Sequence, residues 1–370
     1  MSGLYVARLA LGQDHLAGVA RKIADQRAVL AEAGLETDML DLSDPAFRHA
    51  DGGVWRRRIS HHLLFHREMQ ARTRDADFVY IRFQGAPPDL VRALAAIRAR
   101  RPDLPVVMEV PSWPFASERR GWRSRVQAAY QNVGLSSLKG RVDRIVTFSQ
   151  ATEIFGIPTL RTDNGVNVEA LPLVAPRTVG PDLHLVGVAN LSFWHGYDRM
   201  IDGIARYRAN AAPDAPSVTF DIAGSGDELP NLRRKVAEAG LEQTVRFVGP
   251  KHGDQLDRLM SDADIAVSSI GMHRLDVDTS NIKSREFCGR GIPFVIGYPD
   301  RDFPPELPFA HHVPADESPI DIAGLVSWYA DLREGQPEIT RIMRNYAEDR
   351  LSWRAKMAPV VDWLKEVRGS

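Results

Sequence analysis

The chain has 370 residues, 44% hydrophobic and 26% charged, with a formal net charge of −1 at pH 7. That length exceeds one typical core and suits two domains, and the balanced charge gives no sign of the basic surface a nucleic-acid partner requires. One cysteine, Cys288, excludes a disulfide framework, and no run approaches the roughly 20 apolar residues that span a bilayer. The opening MSGLYVARLALGQDHLAG has no basic segment followed by an apolar core, so no signal peptide is expected and a cytoplasmic enzyme is the default.

Residues 4–10 read as a strand, 18–33 as a helix with apolar Val19, Ile23, Val29 and Leu30, and 36–42 as a second strand. This is the βαβ opening of a doubly wound α/β sheet. It lacks G-x-G-x-x-G, so Gly12 and Gly18 either serve turns or let an acceptor or a donor phosphate approach the backbone. Residues 54–74 form a basic amphipathic pattern, read as a solvated surface helix or as one lying on an anionic membrane. A strand over 78–83, a helix over 88–101 and a strand over 106–110 follow. Ligands of open α/β sheets sit at the C-terminal ends of strands. Glu109 and the turn Pro111-Ser112-Trp113-Pro114 are therefore candidates to face an acceptor or a sugar; a structural hydrogen bond is the alternative for Glu109. Residues 117–125, ERRGWRSRV, suit either an exposed loop or a lipid phosphate. A strand over 142–149 precedes the Asn164-Gly165 turn, and a proline-rich linker is placed over 171–181.

Beyond the linker, strands are expected at 185–189, 218–223, 244–248 and 264–269, with helices at 197–207 and 229–239. Turns carry Gly224 and Gly226, Lys251, and Arg274. Helices over 320–332, 339–349 and 353–367 close the chain. The stretch DTSNIKSREFCGRGIPFVIGY, residues 278–298, joins a polar loop to a helix over 283–290, a stop at Gly291 and a buried strand opened by Pro293. A helix N-terminus offers free N–H groups and the positive end of a dipole, which suits phosphate. Asp278 precedes that start and Glu286 lies on the helix side; carboxylates suit sugar hydroxyls. Together these suggest a nucleotide-sugar site. Taken singly, Asp278 is a solvated loop residue and Glu286 an exposed helix residue.

Acid-x7-Glu before a Gly-x-Pro strand resembles the C-terminal domain of retaining GT-B glycosyltransferases, the family 4 group (glycosyl transferases group 1) in particular. GVANLSFWHGYDRMIDGI, FDIAGSGDELPNL, VRFVGPKHGDQL and ADIAVSSIG stand upstream in the matching order, so that the resemblance covers most of residues 145–300. It implies the GT-B fold, two Rossmann-like α/β domains facing a central cleft. An acceptor-binding domain would cover 1–172 and a nucleotide-sugar-binding domain 173–350, with a helix over 351–370 packing back on the first. It also implies a retaining, metal-independent hexosyltransferase that uses a UDP- or GDP-sugar as substrate and needs no cofactor. Helix dipole and cations replace the metal, and no His/Cys/Asp cluster has metal-ligand spacing.

The resemblance assigns Glu286 to ribose hydroxyls, the amides of Asn281 and Ile282 to the pyrophosphate, and Asp278 to the transferred sugar. It puts Asn164-Gly165 at the end of the first domain facing the donor, Gly224 and Gly226 near the nucleotide, and the Lys251 loop beside the base. The family's arginine and lysine for the pyrophosphate fall at Asn190 and His195, neither a permanent cation. His195 is then a phosphate contact, stronger when protonated, and Lys283, Arg199 or Arg274 supplies the missing charge. The family's histidine near Glu109 has no counterpart. The runs Lys-Ser-Arg-Glu-Phe, Trp-His-Gly-Tyr-Asp-Arg and Glu-Val-Pro-Ser-Trp-Pro also resemble bacterial enzymes that build capsule, exopolysaccharide or O-antigen. That likeness implies a glycan or lipid-linked acceptor and contact with the inner membrane face. Two rivals stand beside this reading: a GT-B protein that binds a sugar nucleotide without transfer, and a nucleotide-sugar epimerase.

Overall fold

A computed structural model describes residues 1–11, 13, 16–43, 64–111, 113, 132–175, 180, 182–275 and 280–369. Gly12, Asp278, residues 54–63 and the loop 117–125 lie outside the described residues. Two compact units result, Met1–Asp163 with Lys356–Ser370, and Asn164–Asp276 with Ser280–Ala355. The division falls at Asp163/Asn164, ahead of the 172/173 boundary expected from the prolines, so Asn164 and Gly165 belong to the second unit.

The first unit is built on a seven-stranded sheet of order β2-β1-β3-β4-β5-β7-β6. Its strands are β1 (Ser2–Ala7), β2 (Glu36–Asp41), β3 (Phe78–Arg82), β4 (Val106–Val110), β5 (Arg144–Thr147), β6 (Glu153–Ile154) and β7 (Ile157–Arg161). All pair in parallel except β6 with β7. Helices α1 (Ala17–Glu32), α2 (64–72) and α3 (Pro88–Arg100) accompany it. β3 and β4 are buried nearly throughout, which is why they read as unbroken apolar runs rather than alternating ones. Leu4, Val79, Val106 and Ile145 of the sheet share one core with Ala93, Leu94 and Ile97 of α3.

The β6–β7 hairpin does not follow from the sequence pattern. Both of its turn residues are left-handed, Phe155 at φ 56° and Gly156 at φ 74°. The usual Asn-Gly or Asp-Gly signal is absent. Phe155 is retained there by its packing on Trp113 and Phe83, with ring centroids 5.1 and 5.8 Å away.

The second unit is a six-stranded parallel sheet of order β10-β9-β8-β11-β12-β13. Its strands are β8 (Asp182–Asn190), β9 (Ser217–Ser225), β10 (Val245–Phe247), β11 (Ile265–Val267), β12 (Phe294–Ile296) and β13 (Ala310–His312). Its helices are α4 (Tyr197–Asn210), α5 (Leu229–Glu238), α6 (Asp254–Ser261), α7 (Ile282–Arg290), α8 (Ile322–Gly335) and α9 (Ile339–Tyr346). Leu185, Phe220, Ile265 and Val295 of four strands meet Tyr197, Met200 and Leu325 in its core. The edge strand β13, Ala-His-His, is too short and polar to show in a hydrophobic pattern.

The last helix, α10 (Trp353–Gly369), belongs to the first unit from Lys356 onward. There Thr162 Oγ1 donates to the Lys356 carbonyl, the Arg144 guanidinium lies 5.3 Å from the Trp363 ring, and Arg368 Nε donates to the Asp77 carbonyl at 2.9 Å. Among the described residues no helix is long and apolar enough to cross a membrane.

Candidate functional site

Helix α7 begins at Asn281, whose backbone is extended (φ −76°, ψ 122°), and among the described residues no side chain caps it. It ends at Gly291 in the left-handed conformation (φ 74°), where a Cβ would come within 2.7 Å of the Thr340 carbonyl. The helix start is anchored from behind. Arg285 is fully buried and donates through both Nη atoms to Asp300 at 2.9 Å, and also to Asp302. Its Nη1 further donates to the Asn281 carbonyl at 3.0 Å. Asn164 Nδ2 donates to the carbonyl of Ser280 at 2.7 Å.

Those two carbonyls belong to the peptides whose N–H groups are on Asn281 and Ile282. In a trans peptide the N–H points opposite to the C=O. Anchoring the carbonyls therefore aims both amides away from Arg285 and Asn164. Asn164 is thus part of the α7 start itself, on the same unit, and not a residue reaching it from the first domain.

Two buried polar atoms at this helix start have no hydrogen-bond partner among the described residues, Ser280 Oγ and Lys283 Nζ. Such orphans are few in folded proteins, and an unpartnered cation beside free helix-start amides suits an anion. The Lys283 side chain is half-buried as a whole, but its ammonium is enclosed, 5.6 Å from the centroid of the Tyr197 ring. Desolvation lowers its pKa from 10.5 to about 7.

The short turn Phe193–His195 ahead of α4 carries the half-buried His195. Burial, then the Lys283 charge, push its pKa down to about 3 against the raising effect of the Ser192 backbone. Nδ1 of the neutral ring faces the Ser192 backbone, 3.1 Å from its nitrogen and 3.2 Å from its carbonyl oxygen, which leaves Nε2 for other partners. His195 is therefore neutral in the ligand-free protein, without the charge that would strengthen a phosphate contact.

Glu286, one turn along α7 from Ile282, lines a cavity of about 240 Å3 with Ile282, Lys283, Val188, Leu256, Met260 and Phe287. Mostly apolar walls with one carboxylate suit a flat ring that carries hydroxyls. Arg290, at the rim, pairs with Asp257 at 2.7 Å. Asn190 is the exposed last residue of β8, and Lys251 lies in the loop between β10 and α6.

Several expected residues have packing roles that account for them. A Cβ on Gly224 (φ 137°) would sit 1.8 Å from the Ala189 carbonyl oxygen, and one on Gly226 (φ 154°) 2.2 Å from that of Leu191. These glycines let the end of β9 lie on the loop that carries Asn190 and His195. Gly165 is buried against Trp353, whose Cα would lie 2.8 Å from its Cβ. Gly18 is an exposed residue in the first turn of α1 with open space around its Cα.

Three residues need correction. Arg274 is not a spare cation, because it donates to the Phe193 carbonyl at 2.6 Å, to both Asp198 oxygens at 2.9 and 2.7 Å, and to Glu317. Arg199 is buried and donates to the Ser318 and Pro314 carbonyls at 2.8 and 3.0 Å and to that of Ile270. Of the three candidate cations, Lys283 alone lacks an acceptor among the described residues.

Glu109 is fully buried, and among the described residues its carboxylate is met by side chains of the first unit. It accepts from Arg82 at 2.6 Å, Gln26 at 2.7 Å and Tyr80 at 2.8 Å, with Lys22 Nζ 3.2 Å away. Burial alone would raise its pKa; Lys22 and Arg82 outweigh that and hold it at about 2. It is a structural carboxylate. Sequence reasoning missed Ser280 and Arg285, whose part in the site depends on partners distant in the chain.

Residues 178–272 match the family model of Glycosyl transferases group 1. No curated protein sequence matches the chain. A glycosyltransferase structure from Rickettsia africae ESF-5 is similar at TM-score 0.65 and 12% identity, covering 99% of this chain and 98% of that one. Sucrose-phosphate synthase from Thermosynechococcus elongatus is similar at TM-score 0.62 and 14% identity, with 100% and 99% covered. Anabaena HepE, solved with UDP and glucose, is similar at TM-score 0.57 and 15% identity, with 99% of each chain covered. At these identities the likeness is one of fold. The chain thus has the GT-B fold of two Rossmann-like domains, and residues 178–272 of its second unit match Glycosyl transferases group 1.

Proposed function

We propose that this protein is a glycosyltransferase that moves a hexose, with retention, from a UDP- or GDP-sugar to a glycan or lipid-linked acceptor in bacterial surface polysaccharide synthesis. The observation that carries this reading is the start of α7. Two anchored peptides aim their amides outward there, Lys283 has no acceptor among the described residues, and Glu286 lines the adjoining cavity. Amides and lysine would hold the diphosphate, Glu286 the ribose hydroxyls, and Asp278 hydroxyls of the sugar. The matched family segment and the Anabaena structure with UDP and glucose support the choice of donor class.

In the reaction the bond from C1 to the diphosphate oxygen breaks, the acceptor hydroxyl oxygen bonds to C1, and the hydroxyl proton passes to the leaving diphosphate oxygen. Charge grows on the leaving oxygen, and the helix end with Lys283 takes it up without a protein nucleophile. The same charges replace a divalent metal in this proposal, so EDTA should leave the transfer rate unchanged; a loss restored by Mg2+ would overturn that part. The acceptor class and a peripheral place at the inner membrane face rest on the resemblance to polysaccharide enzymes and on the basic character of residues 54–74 and 117–125.

The test is a panel of UDP-, GDP- and ADP-sugars with a bacterial lipid extract, followed by nucleotide release and by NMR of the product's anomeric configuration. One donor consumed with retention supports the proposal; no donor consumed contradicts it. A second reading, a sugar-nucleotide-binding protein without transfer, is favoured by uncharged Asn190 and the neutral His195. It predicts donor binding with no turnover.

A further inference from the structure

We propose that Lys283 is an internal counter-ion for the donor's diphosphate, and that binding the diphosphate draws a proton onto it. The inference rests on the donor reading above and deepens it. Its basis is geometric. The ammonium is enclosed beside the Tyr197 ring with no acceptor among the described residues, at the end of a helix whose first amides are aimed outward. The positions where the family resemblance puts cations hold an exposed Asn190 and a neutral His195, while Arg199 and Arg274 are committed to carbonyls and carboxylates.

The titratable groups facing Lys283 are few. His195 faces it from the turn before α4 and is neutral. Tyr197 faces it from α4; burial holds its phenol protonated, and its hydroxyl donates to the Val267 carbonyl at 3.2 Å. On α7 itself, Arg285 is turned to Asp300 and Asp302, while Glu286 and Arg290 line the same cavity as Lys283, Arg290 paired with Asp257 at 2.7 Å. Desolvation is the only cause acting on the lysine, and it favours the uncharged amine. A diphosphate at the helix end reverses the balance, because an opposite charge nearby favours the ammonium. Above about pH 7 the ligand-free lysine has lost its proton, and the ligand must bring one in from solvent. Affinity then falls by up to about tenfold per pH unit.

The test is calorimetric titration with UDP-glucose and GDP-mannose, whose phosphodiester-type groups do not titrate near neutrality. It is run in phosphate and in Tris, which differ in ionisation enthalpy. The expected result is uptake of close to one proton at about pH 8, falling toward zero at about pH 6. Lys283→Arg should bind with no uptake and a flat pH profile, and Lys283→Met should bind more weakly throughout. Uptake that survives Lys283→Met but vanishes in His195→Ala overturns the proposal. So does binding without uptake, or Lys283→Met binding like the parent, and in either case the donor reading stands. Absence of binding by any nucleotide sugar overturns both.

Discussion

Nδ1 of His195 lies 3.1 Å from the backbone nitrogen of Ser192 and 3.2 Å from its carbonyl oxygen, so this nitrogen is turned to the backbone and Nε2 is the one left to meet a ligand. Burial, then the Lys283 charge, keep the ring neutral down to about pH 3. Because the ligand-free ring is neutral throughout this range, His195 is expected to add no pH dependence to donor binding between about 5 and 8. His195→Ala should lower affinity by the same factor at each pH, roughly 2- to 10-fold for one neutral hydrogen bond. Affinity measured against pH for parent and variant checks it; a variant whose deficit grows at low pH would restore the imidazolium.

Glu109 predicts a stability effect instead of a catalytic one. Glu109→Gln leaves Lys22 and Arg82 buried without their carboxylate, at an expected loss of about 3–5 kcal/mol in urea unfolding. Its pKa falls from 4.5 to about 2 on folding, so the stability it contributes is present above 4.5 and is lost as pH drops from there toward 2. The variant should be less sensitive to acid over that window. Donor affinity of the folded variant should match the parent; a selective loss of affinity would return Glu109 to the site.

Lys283 should destabilise the ligand-free protein. Its pKa is depressed from 10.5 to about 7 on folding, so the unfolded chain holds the extra proton between those values and stability rises with pH across them. Lys283→Met should raise stability at neutral pH by about 1–3 kcal/mol and remove that rise, the partly solvated stem limiting the gain. Melting temperature against pH is the measurement. A variant less stable than the parent at pH 7 would mean the ammonium has a partner.

What was legible in the sequence is what local chemistry encodes. Gly291 and Pro293 bracket the end of α7 and the start of β12 as their residue types require, and Glu286 follows from helix spacing. The central strands β3, β4, β11 and β12 are apolar runs, and they lie within a few residues of their expected places. The rest depends on convergence of distant segments. Glu109 looked exposed because a strand end is often a ligand site, whereas α1 and β3 close over it with Lys22, Gln26, Tyr80 and Arg82. Asn164 reaches Ser280 across 116 residues and Arg285 reaches Asp300 across 15, distances over which no local pattern speaks. Choosing Lys283 over Arg274 needed the carbonyl and carboxylates that surround the arginine.

The central claim is that a nucleotide sugar is held at α7 with Glu286 on its ribose. Calorimetric titration of parent and Glu286→Gln with UDP-glucose and GDP-mannose tests it most directly. The amide keeps the shape but loses charge-assisted hydrogen bonds worth about 1.5–3 kcal/mol, so affinity for the preferred donor should fall roughly 10- to 100-fold with an unchanged melting temperature. Equal affinity in parent and variant, or no binding of either donor by the parent, would contradict the account.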